Sequence, residues 1–307
     1  HFYKNSPKTS SHFQRNFIAE FCSRFICEFF ADKYAFSKAY SSYTEMLLDE
    51  NVELVYIATP HVYHYEVTKM CIEHHKHVLC EKPFTINESE CLDIMDLAKK
   101  NNVFVAEAMW PRYMPSRKMI NELLDSNIIG EVHTLTANLS FPMITKKRIL
   151  DKKLGGGALL DLGVYGLCFA LSYFGKDIKD VKSSVHMTLT GVDGQECISI
   201  EYNDGRLATL NHGMYCRSDC NGVIYGEKGY IKVEYILNPQ SIEVYDEDGH
   251  LLKHLDVPEQ ISGLEYEIIN FLNKGNSLQI IVRLLFEIYV QKVSDISDFE
   301  IEMEQTD

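Results

Sequence analysis

From Val52 to Ala106 three short apolar runs alternate with two helical stretches, and that alternation constrains the fold more than any other feature of the chain. Val52 to Ala58 is β-branched and aromatic, has a strand's length, and stops at Thr59-Pro60, where the proline disfavours a helical residue before it. Ahead of it, Ser42-Tyr43-Thr44-Glu45 has capping-box spacing, which predicts a helix start followed by an acidic turn. Behind it, Tyr63 to His75 reads as helix, His77 to Cys80 as strand, Asn87 to Lys100 as an Asn-capped helix and Val103 to Ala106 as strand. Strands alternating with helices imply a parallel sheet with right-handed crossovers, and ligands of such sheets lie beyond the carboxyl ends of the strands. The loops expected there are Thr59 to His64, Glu81-Lys82-Pro83 and Glu107 to Arg112.

After Gly130 the pattern changes to period two. Glu131 to Phe141, Val181 to Thr190, Cys197 to Tyr202, Arg206 to Gly213 and Tyr230 to Tyr235 read as strands. Asp193-Gly194, Asp204-Gly205 and Asp248-Gly249 carry the turn chemistry of antiparallel hairpins. Gly155 to Gly166 reads as a glycine-led helix running to about Phe174. The expected organisation is an α/β domain over residues 1–110, an α+β domain with a mostly antiparallel sheet over 111–276, and a divergent tail over 277–307.

Composition narrows the function classes. A chain of 307 residues that is 46% hydrophobic can bury a sizeable core. Its charge of -14, from 30 basic and 44 acidic residues, opposes nucleic acid and anionic membranes. The nine cysteines are odd in number and scattered, which predicts free thiols in a reducing cytosol. Leu278 to Val290 is too short for a bilayer and is broken by Arg283 and Glu287, so a soluble protein is expected. The opening His1 predicts a sequence that lacks its natural start.

Lys82 falls at the carboxyl end of an expected buried strand, where it can donate to a ligand oxygen and lower a neighbouring phenol's pKa; it reads equally as a strand-end lysine reaching solvent. Asp161 and Tyr165, four apart, share a helix face as a carboxylate one turn before a phenol. Gly163 and Gly166 each weaken that helix by about 1 kcal/mol relative to alanine, which fits either a closely approaching ligand or tight helix-to-sheet packing. The glycine triplet is a weak anion cradle, since no parallel strand precedes it. Cys71, His74, His75, His77 and Cys80 match no zinc spacing, and no metal is expected. Trp110 follows the third strand and reads as a pocket wall or as core.

Ala58-Thr59-Pro60-His61-Val62-Tyr63-His64, Lys76-His77-Val78-Leu79-Cys80-Glu81-Lys82-Pro83 and Glu107-Ala108-Met109-Trp110-Pro111-Arg112-Tyr113 together resemble the glucose-fructose oxidoreductase / inositol dehydrogenase family. Arg148 with Gly155-Gly156-Gly157-Ala158-Leu159-Leu160-Asp161-Leu162-Gly163-Val164-Tyr165 resembles the branch that oxidises trans-dihydrodiols and D-xylose with NADP. The resemblance runs from about Phe30 to about Asn276 and implies a Rossmann-type first domain, NADP as cofactor and hydride exchange with a CH–OH group of a small sugar or dihydrodiol. It implies that Lys82 contacts the nicotinamide ribose and substrate, that Tyr165 is the acid/base, and that Asp161 orients the reacting group. Thr59, Pro60, His64 and Glu81 would line the cofactor, Trp110 and Arg112 would border the nicotinamide and substrate, and Arg148 would reach the substrate. Ser23 and Arg24, closing a possible strand from Asn16, would hold the 2′-phosphate. A homodimer through the open sheet is implied as well.

Two departures shape the expectations. The family's first strand and glycine loop have no counterpart, since no glycine lies between His1 and Phe30, so weak NADP(H) binding is expected of this chain. The rival expectation is an impaired relative or fragment acting as a binding or structural protein. After Asn276 the family pattern gives way.

Overall fold

The structure, a computed structural model, describes residues 38–40, 42–260 and 262–273. Ser23 and Arg24 lie outside those residues. The described chain divides into two compact units, one up to Ala108 together with Phe271 to Asn273, the other from Met109 to Asn270.

In the first unit helix α1 (Tyr43–Leu47) starts where the capping residues place it, with Ser42 Oγ accepting from Glu45 N at 3.2 Å. Strands β1 (Leu54–Ile57), β2 (His77–Glu81) and β3 (Val105–Ala108) form a parallel sheet in the order β1-β2-β3. Val55 lies opposite Val78, and Leu79 opposite Ala106. Helix α2 (His64–Glu73) crosses between β1 and β2, preceded by a 3-10 turn at His61–Tyr63, and α3 (Glu88–Asn101) crosses between β2 and β3. Asn87 caps α3 by accepting from Glu90 N at 2.9 Å, and Asn102, at φ 53°, ends it in the left-handed region. Val78, Leu79, Cys80, Val105 and Ala106 are buried, as a parallel sheet covered by helices requires.

The second unit begins with a 3-10 turn at Trp110–Tyr113 and helix α4 (Pro115–Asp125). Its sheet contains β4 (Val132–Ser140), β5 (Ile178–Met187), β6 (Asp193–Tyr202), β7 (Leu207–Gly213), β8 (Gly222–Gly226), β9 (Gly229–Val233), β10 (Ser241–Asp246) and β11 (Leu251–Asp256). Their order is β11-β10-β9-β8-β4-β7-β6-β5, antiparallel everywhere except for the β4–β7 pair. Helix α5 (Val164–Phe174) packs on β4 and β7 over Leu135, Ala137, Ala208 and Leu210. Lys152–Phe174 is apolar enough to match a bilayer by length and composition, yet 67% of its most apolar window is buried inside the protein. Helix α6 (Leu264–Asn273) closes the described chain.

Two sequence expectations change. Asp193-Gly194 is no turn: β5 ends at Met187, the reversal is made at Thr188–Val192 with Gly191 at φ 74°, and Asp193 opens β6. The reason is that Asp193 is committed to another contact, described below. Asp204-Gly205 and Asp248-Gly249 do turn, with Gly205 at φ 91° and Gly249 at φ 83°. Finally, the glycine-led helix does not start as an α-helix: Leu159–Gly163 forms a π turn, and regular α-helix begins at Val164.

Candidate active site

At the carboxyl ends of β1 and β2, the Thr59 loop and the Lys82-Pro83 loop are joined through one side chain. His64 opens α2 and is fully buried, and its ring lies between two backbone carbonyls, Pro83 O at 2.7 Å from Nδ1 and Thr59 O at 2.9 Å from Nε2. Burial pushes its pKa below the ordinary histidine value, against the two carbonyls and Glu81, which favour the charged ring. The third strand end is tied in by Glu107, also buried, whose carboxylate accepts from Phe84 N at 3.0 Å. Glu81 accepts from the Tyr56 hydroxyl and from Lys82 N. The Lys82–Pro83 peptide bond is cis. Thr59, Pro60, His64, Glu81 and Lys82 therefore gather at one end of the parallel sheet. The Thr59 Oγ1 atom is buried there without a hydrogen-bond partner among the described residues. An orphaned donor and acceptor at a strand's carboxyl end fits a polar ligand such as a dinucleotide.

In the second unit two of the residues expected to act on substrate meet. Asp161 sits in the π turn and is buried, and Arg148 Nη2 donates to its Oδ1 at 3.0 Å. Tyr165, one turn later in α5, is buried. The Trp110 ring packs on Gly263, where a Cβ would come within 2.5 Å of Cζ3, and Gly263 has φ 92°. Arg112 stands in the same turn as Trp110, and its carbonyl accepts from Arg117 Nη1 at 3.3 Å.

The glycines have structural work in this unit. A Cβ on Gly163 would lie 2.5 Å from Glu196 Oε1, and one on Gly166 would lie 2.2 Å from His212 Nε2. Their backbone makes room for a carboxyl and an imidazole from the sheet, so the packing alternative holds for both. The triplet is no cradle for an external anion: Gly155, Gly156 and Gly157 donate to the carbonyls of Lys152, Asp151 and Ile149. The group at this helix start is the protein's own Asp193, whose carboxyl oxygen accepts from Leu159 N at 2.5 Å. Burial, reinforced by Glu196, pushes Asp193 up to about 7. The cysteine and histidine run from Cys71 to Cys80 is dispersed: His74 Nδ1 bonds to Met70 O, His77 Nδ1 accepts from Phe104 N, and Cys71 and Cys80 are buried.

Glu196 and His212 were not singled out from sequence, and Asp193 was read there only as part of a turn. Glu196 alternates with Ile198 and Ile200 on the buried face of β6, and His212 alternates with Ala208 and Leu210 on that of β7. An ionisable residue in an inward register was the available signal.

A parallel sheet with its loops at the strand ends, followed by an α+β unit with a large mixed sheet, is the two-part architecture of Rossmann-type oxidoreductases. The chain belongs to the GFO/IDH/MocA oxidoreductase family: residues 9–109 match its NAD-binding Rossmann fold model and residues 118–232 match its C-terminal domain. The family match thus reaches further toward the amino end than Phe30, where the resemblance read from the sequence begins. Trans-1,2-dihydrobenzene-1,2-diol dehydrogenase of Xenopus laevis is 34% identical over 244 residues, 78% of this chain and 74% of the relative. Scyllo-inositol 2-dehydrogenase (NADP(+)) of Bacillus subtilis is 33% identical over 260 residues, 81% of this chain and 78% of the relative. In fold, a 3-ketoreductase from Actinomadura kijaniata in complex with NADP and TDP-benzene superposes with a TM-score of 0.79 at 21% identity, covering 85% of this chain and 83% of that one. The diol and inositol relatives are matched almost equally, so overall identity does not separate the two substrate branches.

Proposed function

We propose that this chain is an NADP-dependent dehydrogenase that exchanges hydride with a CH–OH group of an aldose or a trans-dihydrodiol, using Tyr165 as acid/base. The observation that carries the reading is the π turn, which sets Asp161, paired with Arg148, one turn before Tyr165 in a buried helix. In the oxidative direction the Tyr165 oxygen takes the hydroxyl proton, and in the reductive direction it returns that proton to the carbonyl oxygen. Asp161 accepts a substrate hydroxyl and so fixes which carbon reacts, while Arg148 holds the carboxylate in place. Lys82 supplies a cation to the nicotinamide ribose and the substrate oxygen. Thr59, Pro60, His64 and Glu81 line the nicotinamide half, Trp110 and Arg112 border it, and Ser23 and Arg24 take the 2′-phosphate. The nicotinamide, when bound, supplies the hydride acceptor, chemistry that belongs to the cofactor. What supports NADP is the orphaned Thr59 Oγ1 at the sheet's carboxyl end, together with relatives named for NADP(+).

The test is an assay of NADP+ reduction with a trans-dihydrodiol, D-xylose and scyllo-inositol in parallel. Tyr165→Phe should keep the fold and lower kcat by about 10² to 10⁴ on whichever substrate is used. A Tyr165→Phe enzyme of unchanged turnover removes the phenol from the mechanism, and absence of turnover with all three substrates rejects the substrate class.

A further inference from the structure

The second unit departs from ideal structure three times in one place. A π turn replaces α-helix at Leu159–Gly163, two glycines three residues apart interrupt the helix, and two ionisable side chains lie beneath them in the apolar layer. Glu196 and His212 stand directly opposite each other on β6 and β7. His212 Nδ1 is 3.2 Å from Glu196 Oε1, and the two side chains are 0% and 1% exposed. The contact is off-axis, so Glu196 Oε1 and both ring nitrogens of His212 make no hydrogen bond among the described residues. Burial holds the proton on Glu196, whose pKa is pushed well up, and keeps the imidazole neutral, with its pKa pushed down to about 3. Leaving such groups unpaired in a core is destabilising, and an apolar pair of similar volume would remove the penalty. Departures of this kind concentrate where a protein holds a functional group in place.

We propose that Glu196 and His212 are positioning residues: packed into the groove left by Gly163 and Gly166, they hold the π turn open and thereby set where Asp161 and Tyr165 stand. His212 fills the place of a Gly166 side chain and Glu196 that of a Gly163 side chain, so the glycine backbone cannot move closer to the sheet without displacing them. Asp193 pins the other end of the same turn through Leu159 N. The inference rests on the dehydrogenase reading for the roles of Asp161 and Tyr165, but not for the mechanical coupling.

Gly166→Ala tests it, because the sign is opposed by helix propensity. Alanine in a helix interior is intrinsically favoured over glycine, whereas here its Cβ would push on His212. In the full chain, Gly166→Ala should speed hydrogen exchange of the Leu159 to Gly166 amides at least tenfold and lower kcat at least tenfold. NADPH affinity should stay within twofold. Adding His212→Ala to Gly166→Ala should relieve the collision and slow exchange relative to Gly166→Ala, whereas His212→Ala alone, which removes the support, should speed exchange of the same amides and lower kcat. Glu196→Leu, which keeps the core apolar and folded, should loosen the same amides, while Glu196→Gln should leave them near their starting rate. Unchanged exchange in Gly166→Ala and Glu196→Leu overturns the proposal, as does a His212→Ala variant whose exchange and kcat match those of the unmutated protein. If the unmutated protein turns over none of the test substrates, the dehydrogenase reading fails, and the exchange measurements still decide the coupling.

Discussion

Arg148 Nη2 donates to Asp161 Oδ1 at 3.0 Å, joining a side chain 41% exposed to one only 9% exposed. The guanidinium thus holds in place a carboxylate that is almost wholly removed from solvent. Arg148→Met should therefore leave Asp161 without this partner and lower stability by about 1 kcal/mol, discounted for the exposed arginine. On the proposed function it should raise the substrate KM about tenfold or more while NADP(H) affinity stays put. A variant whose KM matches that of the unmutated protein would remove Arg148 from substrate binding, and chemical denaturation reports the stability part.

Lys82 follows β2 directly, and its neighbour Pro83 is held by His64 through the carbonyl. A lysine on so braced a loop presents its charge from a fixed base. Lys82→Met keeps the stem and deletes the charge, so NADPH binding should remain within a few-fold while kcat falls by about 10² to 10⁴. Single-turnover kinetics with pre-bound NADPH would separate the two, and a loss confined to binding would recast Lys82 as a cofactor anchor.

The sequence was most legible where burial follows a regular period. β1, β2 and β3 are short apolar runs ending at proline- or glutamate-containing loops, and each lies within three residues of its expected position. Much less could be seen of β11, because Leu251, Leu252, Lys253 and His254 are all exposed on a sheet edge, leaving no alternation to detect. β8 was missed because glycines bound its five residues, yet Gly222 is needed there: a Cβ would come within 2.4 Å of Phe169. Asp161 and Tyr165 were legible from their spacing, whereas the π turn that carries Asp161 was not, since it depends on Glu196 and His212, distant in sequence. Asp193 misled for the same reason: its local Asp-Gly chemistry says turn, and its contact with Leu159 N, thirty-four residues away, overrides it.

The homodimer implied by family resemblance makes a claim about one thiol. Cys197 is exposed on the face of β6 opposite Glu196, beside Asn211 of β7, while Cys216 is exposed on the loop after β7. If two copies pair through this sheet face, iodoacetamide should label Cys197 more slowly as protein concentration rises, with Cys216 unchanged. Cys71 should stay unlabelled throughout, because burial pushes its thiol up to about 12 and withholds the reactive thiolate. Cys197 labelling independent of concentration from nanomolar to high micromolar protein would argue against that interface.

Asp193 makes a prediction about stability and pH whose sign can be worked out. Its folded pKa is raised from the ordinary 3.8 to about 7, first by burial and then by Glu196, while the Leu159 and Ala158 amides pull it down. Between pH 4 and 7 the folded protein therefore holds a proton that the unfolded chain has released. Stability from this group is present at acid pH and is lost as pH rises through about 7. Three units would correspond to about 4 kcal/mol if fully expressed, but Asp193 is only partly buried by exposed area, and solvent screening reduces this to on the order of 1–2 kcal/mol. His212, with its pKa pushed down to about 3, contributes in the opposite direction as pH falls below about 6.5, and that contribution largely cancels when two proteins sharing it are compared. Asp193→Asn keeps an oxygen for Leu159 N and cannot titrate. Its melting temperature should thus rise relative to that of the unmutated protein as pH is raised from 5 to 8, the difference levelling off above pH 7.5. Parallel melts at half-unit pH steps would measure it, and a flat difference would mean that Asp193 is ionised in the folded protein throughout this range, held by the helix start more strongly than burial opposes it.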